Sequence, residues 1–209
     1  GGADPANNAK LRDVIAKAKA ANMPNDNINR SIKKAAGETG SVNYEEFTYE
    51  GYGPGNMAVY VEIVTDNRNR ISAEMKHLFS KAGGNLGASG SVAWMFDKKG
   101  QIVVERTALM DEDEVRMQAL DAGAEDFVAQ EDVFEIYTSP AEFSKVREAL
   151  ESAGYTFLKA EVAMIPQNTV NITDPEVVEK VNKFLDNLDD NDDVQEVFHN
   201  AILPEEDEE

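Results

Sequence analysis

The sequence contains no cysteine and only two histidines, His77 and His199. The first absence excludes disulfides, thiol nucleophiles, and every cysteine-based zinc or iron–sulfur site. No apolar run approaches the length that spans a bilayer, and no charged-then-apolar leader opens the chain. These gaps fit a cytosolic protein; a mitochondrial matrix location is expected instead if a transit peptide has been removed. The opening Gly1-Gly2-Ala3-Asp4-Pro5 lacks an initiator methionine, so a trimmed N-terminus is expected. Positive charge is also scarce: 20 Lys and Arg against 40 Asp and Glu give a net charge of −20. Read alone, that argues against a polyphosphate partner.

The charge is unevenly placed, however. In residues 1–34 seven bases (Lys10, Arg12, Lys17, Lys19, Arg30, Lys33 and Lys34) face three acids, a net of +4, which leaves −24 for the rest. The chain closes on Glu205-Glu206-Asp207-Glu208-Glu209, which reads as a solvated tail. A basic head on an acidic body implies an oriented encounter with a charged partner and says nothing about fold.

Residues 1–40 are expected to form a small helical domain. Asp4-Pro5 reads as a cap with proline at the first helical position, and Leu11, Val14, Ile15, Ala18 and Ala21 recur at helical spacing. A second helix should follow Met23-Pro24, carry Ile28, Ile32 and Ala35-Ala36 inward, and stop at Gly37. From Tyr44 the pattern turns to strands at 46–51 and 57–65, then a helix from Arg70 to Ala82. A hairpin is expected from 91–97 and 101–106 across Lys98-Lys99-Gly100. Asp111-x-x-Glu114 resembles a capping box for a helix ending at Gly123. Strands at 126–130 and 133–138, a helix from Ser139-Pro140 to Gly154 and a strand at 157–165 complete a second α/β unit. A last helix starts at Asp174-Pro175, and the strand 194–202 needs a sheet partner. The fold class expected is α+β, a helical domain plus two α/β domains of ferredoxin-like type. Residues 41–107 and 169–204 would form a discontinuous domain, 108–168 an insertion within it, and 205–209 the acidic tail. A serial arrangement is the alternative.

The chemistry-bearing residues give an enzyme little to work with. Each histidine reads better as a structural or surface residue than as a general base, because no nucleophile accompanies it. Two histidines far apart offer no ligand spacing, so no metal site, no cofactor and no catalytic residue is expected. The stretch Gly83-Gly84-Asn85-Leu86-Gly87-Ala88-Ser89-Gly90-Ser91 lies in the order helix, loop, strand. A phosphate cradle needs strand, loop, helix. It suits a helix end with a contact loop in which Gly83, Gly84, Asn85 and Ser91 face a partner. Asp66-Asn67-Arg68-Asn69-Arg70 sets two guanidiniums at a helix N-terminus, a corner that suits phosphate oxygens. The competing reading has Asp66 or Asn69 capping the helix while Arg68 and Arg70 pair with carboxylates. Tyr44, Phe47, Tyr49 and Tyr52 alternate as core and edge residues rather than as a stacking platform. No convincing helix-turn-helix is found.

Several ordered motifs carry a family resemblance. Asn22-Met23-Pro24-x-Asp26-Asn27-Ile28-x-Arg30-x-Ile32-Lys33-Lys34 resembles the second-helix signature of the YebC/PmpR family. Tyr49-Glu50-Gly51-Tyr52-Gly53-Pro54-Gly55, Thr65-Asp66-Asn67-Arg68-Asn69-Arg70, Phe79-Ser80-Lys81-x-Gly83-Gly84-Asn85-Leu86-Gly87 and Gly90-Ser91-Val92-x-Trp94-Met95-Phe96 continue it. The likeness covers essentially the whole chain, although members begin with a short basic segment that is lacking here. The resemblance implies a three-domain, non-enzymatic cytoplasmic regulator with mitochondrial relatives. Its implied partner is nucleic acid: DNA for a transcriptional regulator, or ribosomal RNA for a translation factor. The candidate contacts are Lys10, Arg12, Lys17, Lys19, Arg30, Lys33, Lys34, Arg68 and Arg70, with Asn67, Asn69, Gly83, Gly84, Asn85 and Ser91 as a contact loop. An acidic body would be repelled from long DNA, and tolerated on a ribosome if only the basic head and the Arg68/Arg70 corner entered RNA. The acidic surface is also open to a protein partner. No membrane is implied.

Overall fold

A computed structural model describes residues 2–38 and 42–204. The chain divides into two compact units, one made of residues 1–41 with 98–163, the other of 42–97 with 164–209. The tail 205–209 lies outside the described residues. Among the described residues no helix is long and apolar enough to cross a membrane.

In chain order the elements are α1 (Ala9–Ala20), α2 (Asn25–Glu38), β1 (Glu45–Tyr52), β2 (Ala58–Thr65), α3 (Arg68–Lys81), β3 (Asn85–Leu86), β4 (Phe96–Glu105) and α4 (Glu112–Ala122). Then come β5 (Asp126–Ala129), β6 (Val133–Thr138), α5 (Phe143–Ser152), β7 (Phe157–Pro166), β8 (Val170–Asn171), α6 (Pro175–Asp189), β9 (Val194–His199) and β10 (Ala201–Ile202). The fold class is α+β, with several domains and two four-stranded sheets.

In the first unit, β4-α4-β5-β6-α5-β7 builds a sheet in the order β5-β6-β4-β7, the ferredoxin-like arrangement. Phe134 and Ile136 of β6 and Ile102 and Val104 of β4 share one face, as the two-residue period of a strand requires. Val115 and Ala119 of α4 and Phe143, Val146 and Leu150 of α5 cover that face. Asp111 accepts from the backbone N–H of Asp113 (2.9 Å) and Glu114 (3.2 Å), and Gly123 ends α4 at φ +116, which glycine adopts without strain.

In the second unit the sheet runs β3-β1-β2-β9. The apolar segment after the acidic 186–193 stretch lies antiparallel along β2, Val59 opposite His199. Helices α3 and α6 meet over this sheet where Phe79 and Phe184 pack edge to face, their ring centroids 5.0 Å apart. Asp174 caps α6 through the N–H of Glu176 at 2.9 Å.

Five local expectations are corrected. Asp4 and Pro5 open a single 3₁₀ turn, Pro5–Asn7, and the cap of α1 is Asn8, which accepts from Leu11 N–H at 3.1 Å. Val14 is 58% exposed and Ala35 and Ala36 are exposed, so the helical pair buries a narrower stripe than its apolar spacing suggests. Helix α2 continues through Gly37 to Glu38. The expected hairpin at 91–106 is one continuous strand, β4, preceded by a 3₁₀ turn at Ala93–Met95. Gly100 is buried opposite Thr138, where a Cβ would collide with the Thr138 hydroxyl and crowd Phe143 at 2.9 Å. The glycine marks close approach inside a strand rather than a turn. Finally, the last strand breaks at Asn200. This buried side chain accepts from Ala58 N–H at 2.8 Å and donates to Asn168 C=O at 3.3 Å, which frees β10 to pair in parallel with β8.

Candidate nucleic-acid interface

None of the residues of helix α1 is fully buried, and polar side chains help hold it to the first unit. Ser144 of α5 donates its hydroxyl to the Asp13 carboxylate at 2.9 Å. Arg147, only 5% exposed, reaches Asp13 at 3.6 Å, Glu148 at 3.5 Å and Glu151 at 3.3 Å. Its Nε is buried without an acceptor among the described residues. Arg12 lies 3.7 Å from Glu148 and donates to the Pro5 carbonyl at 2.8 Å. On the facing wall, Glu161 of β7 bridges two ammonium groups, Lys17 at 2.8 Å and Lys159 at 3.1 Å. Burial pushes the Glu161 carboxyl up, but the Lys17 hydrogen bond and the Lys159 charge outweigh it, so its pKa ends below the usual value.

Between α1–α2 and the α5–β7 side runs an open cleft of about 1700 Å³. Its charged lining comprises Arg12, Lys17, Lys19, Lys33, Arg147 and Lys159 against Glu148, Glu151 and Glu161. A chain with two acids for every base thus inverts that ratio here. Lys19, Arg30 and Lys33 are exposed and pair with no acid among the described residues. On α2, Lys33 shares the cleft stripe with Ile28 and Ile32, whereas Arg30 and Lys34 lie on the outer stripe. Lys10 is exposed at the start of α1.

The Arg68/Arg70 corner belongs to the other unit and is built differently. Asn67 is the cap of α3, accepting from Arg70 N–H at 3.0 Å, in place of the Asp66 or Asn69 cap weighed from the sequence. The Arg70 guanidinium donates to Asp193 at 2.7 Å and Asp66 at 3.0 Å. Asp193 hydrogen bonding, opposed by some burial, raises the Arg70 pKa further. Arg68 meets Glu45 at 3.3 Å and lies over the Phe47 ring at 4.6 Å. Asn69 is exposed.

The glycine-rich loop is held from below. Glu50, 3% exposed, accepts backbone N–H bonds from Gly90, from Val92 at 3.1 Å and from Ala93 at 2.6 Å. Gly83 takes φ +78 just past α3, and Gly84 packs so closely on the Tyr52 carbonyl that no Cβ fits. Asn85 lies in β3, opposite Tyr52. The Ser91 hydroxyl is turned in beneath Gly87 and buried without a partner among the described residues, so it does not face outward. Trp94, 68% exposed, is presented instead, its indole N–H bonded to the Ser91 carbonyl at 3.0 Å.

The nine cations named from the sequence therefore fall in two places. Seven lie on the helical pair and two on an acid-paired corner. No sequence motif marks Arg147 or Lys159, and Glu50 and Trp94 enter only as members of motifs. Arg147 had a signal: it occupies the apolar stripe Phe143–Val146–Leu150, where an arginine must find buried partners. Of the histidines, His77 is exposed, and His199 Nδ1 accepts from Ala201 N–H at 3.2 Å.

A helical pair docked on a ferredoxin-like unit, together with a second unit built on an antiparallel sheet, defines a multi-domain α+β protein of a recognisable kind. The chain belongs to the TACO1/YebC family: residues 1–38 match its N-terminal domain and residues 44–201 its second and third domain. It is 62% identical over 200 residues to a probable transcriptional regulatory protein of Acetivibrio thermocellus, covering 96% of this chain and 83% of the relative. A probable transcriptional regulatory protein of Clostridium novyi is 61% identical over 206 residues, covering 99% and 83%. The crystal structure of a conserved hypothetical protein from Aquifex aeolicus matches with a TM-score of 0.82 at 47% identity, covering all of this chain and 86% of that one.

Proposed function

We propose that this chain is a non-enzymatic, cytoplasmic regulator of gene expression that binds nucleic acid through the cleft and the α2 face beside it. The observation that carries the reading is the inverted charge ratio of the cleft within a chain of net charge −20. Concave walls of one charge focus potential, so a local cation surplus can outweigh a distant acidic body once salt screens the latter beyond ~8 Å. The relatives' description as probable transcriptional regulators favours DNA as the target.

A second reading, a translation factor on ribosomal RNA, is favoured by the other unit. Residues 42–97 with 164–209 carry six bases against 21 acids, a surface that a long duplex would have to avoid. The deciding experiment is a salt-titrated competition of the full chain between duplex DNA and ribosomes. Lys19→Ala, Arg30→Ala and Lys33→Ala together should flatten the salt dependence of log K by about two to three units of slope. An unchanged slope would remove this face from the interface. Sequence-selective duplex binding at physiological salt supports the transcriptional reading, and ribosome preference at that salt supports the translational one.

A further inference from the structure

The cleft walls carry more than charge. On α1 and α2, Ile15, Ile28 and Ile32 alternate with Lys19 and Lys33; on the facing side, Phe157 and Leu158 stand beside Lys159. Leu158 is 63% exposed. A duplex keeps its base faces stacked inside and offers a convex wall of phosphates, and it is read by an element that protrudes into a groove. It would leave these concave apolar groups unused. An unpaired strand brings a phosphate and an open base face with every nucleotide, and so calls for cations interleaved with apolar and aromatic surface. The volume agrees: about 1700 Å³ exceeds the ~300–1,000 Å³ of small-molecule sites and points to an oligomer.

Glu161 supplies the independent detail. Its carboxylate, 13% exposed, draws together an ammonium from α1 and one from β7, Lys17 and Lys159. Two cations from different elements converging on one anion form a position that a phosphate oxygen can fill.

Resting on the nucleic-acid reading above, we infer that the cleft between α1–α2 and β7 binds a short unpaired strand, DNA or RNA. One backbone phosphate takes the place that Glu161 holds between Lys17 and Lys159, and bases lie against Phe157, Leu158 and Ile32. Glu161 is then a built-in competitor, and a strand enters by displacing it.

The test measures fluorescence anisotropy of the full chain with a labelled pyrimidine oligonucleotide, in DNA and RNA forms, and with the same sequence as a duplex. The single strand should bind about tenfold more tightly than the duplex. Leu158→Ala with Lys159→Ala, both exposed positions that leave the core intact, should weaken single-strand binding about tenfold. Glu161→Gln should strengthen it severalfold, while Lys76→Ala with Lys81→Ala, exposed on α3 in the other unit, should change it less than about threefold. Duplex bound as tightly as single strand, or a loss from Leu158 and Lys159 no larger than that from Lys76 and Lys81, would overturn the inference and leave the nucleic-acid reading standing. Failure to bind either form at low salt would overturn both. Unequal affinity for the DNA and RNA forms would identify the strand's source.

Discussion

The two places where sequence put exposed arginines and lysines turn out to be opposites. At the corner of α3, Arg70 is held by Asp193 and Asp66, and Arg68 by Glu45 and the Phe47 ring. In the cleft of the other unit, six lining cations stand against three lining acids, and Lys19 and Lys33 meet none among the described residues. Residue type is the same in both; the potential presented to a ligand is not. The acids differ as well. Glu50 and Asp193 are used inside their own unit, on loop N–H groups and on an arginine, whereas Glu161 sits between cations from two elements. A cation in a sequence is therefore a binding candidate only once its carboxylate neighbours are known.

The comparison breaks most visibly by charge reversal. Lys19→Glu with Lys33→Glu should lower nucleic-acid affinity on the order of a hundredfold at low salt, since two attractive contacts become repulsive. Arg68→Ala with Arg70→Ala should lower it less than about threefold, because paired surface cations have little left to offer. Its mark should be a lower urea midpoint, as Asp193 and Asp66 lose their partner. Equal losses from both pairs would dissolve the distinction.

Next in size is Glu50→Gln. The amide retains one acceptor and turns an NH₂ group towards donors, so charge-assisted bonds to a buried loop are lost. The expected loss of unfolding free energy is about 2–3 kcal/mol by urea titration. Trp94 is the only tryptophan, so its emission reports the loop directly. Unaltered stability would mean that the loop holds its shape without this carboxylate. In the cleft-bearing unit, Gly100→Ala forces a methyl against Thr138 and Phe143 and should cost about 1–3 kcal/mol. A smaller effect would show that β4 can move away from β6 at that point.

The sequence disclosed the elements whose pattern is local. The period-2 run of β2, the Asp111 and Asp174 caps, and the α4 stop at Gly123 needed no tertiary information. It misled where a residue's meaning depends on what lies opposite. Gly100 looks like a turn beside two lysines until Thr138 and Phe143 leave no room for a Cβ. Ser91 looks available until Gly87 covers its hydroxyl. Lys159 is an ordinary strand lysine until it shares the Glu161 carboxylate with Lys17, which lies 144 residues from that carboxylate in sequence. The candidate site was thus half legible. Its basic helical wall lies in one stretch of chain, and its second wall exists only after β7 takes the sheet edge beside β4.

The smallest expected effect is also the most specific to the cleft. Burial opposes ionisation of Glu161, and Lys17 and Lys159 more than compensate, so its folded pKa lies below its ordinary value of 4.5. The stabilisation it gives is full above that ordinary value and fades as pH falls through the lower folded one. The difference in urea midpoint between the parent chain and Glu161→Gln should therefore stay flat near neutral pH, shrink below about pH 4.5 and vanish under more acidic conditions. A difference that grows on acidification would contradict the pairing. The same substitution is expected to strengthen single-strand binding, because it removes the carboxylate that competes with phosphate. Stability falling while affinity rises separates a counter-ion held in a binding cleft from an ordinary surface ion pair, whose loss moves neither quantity far.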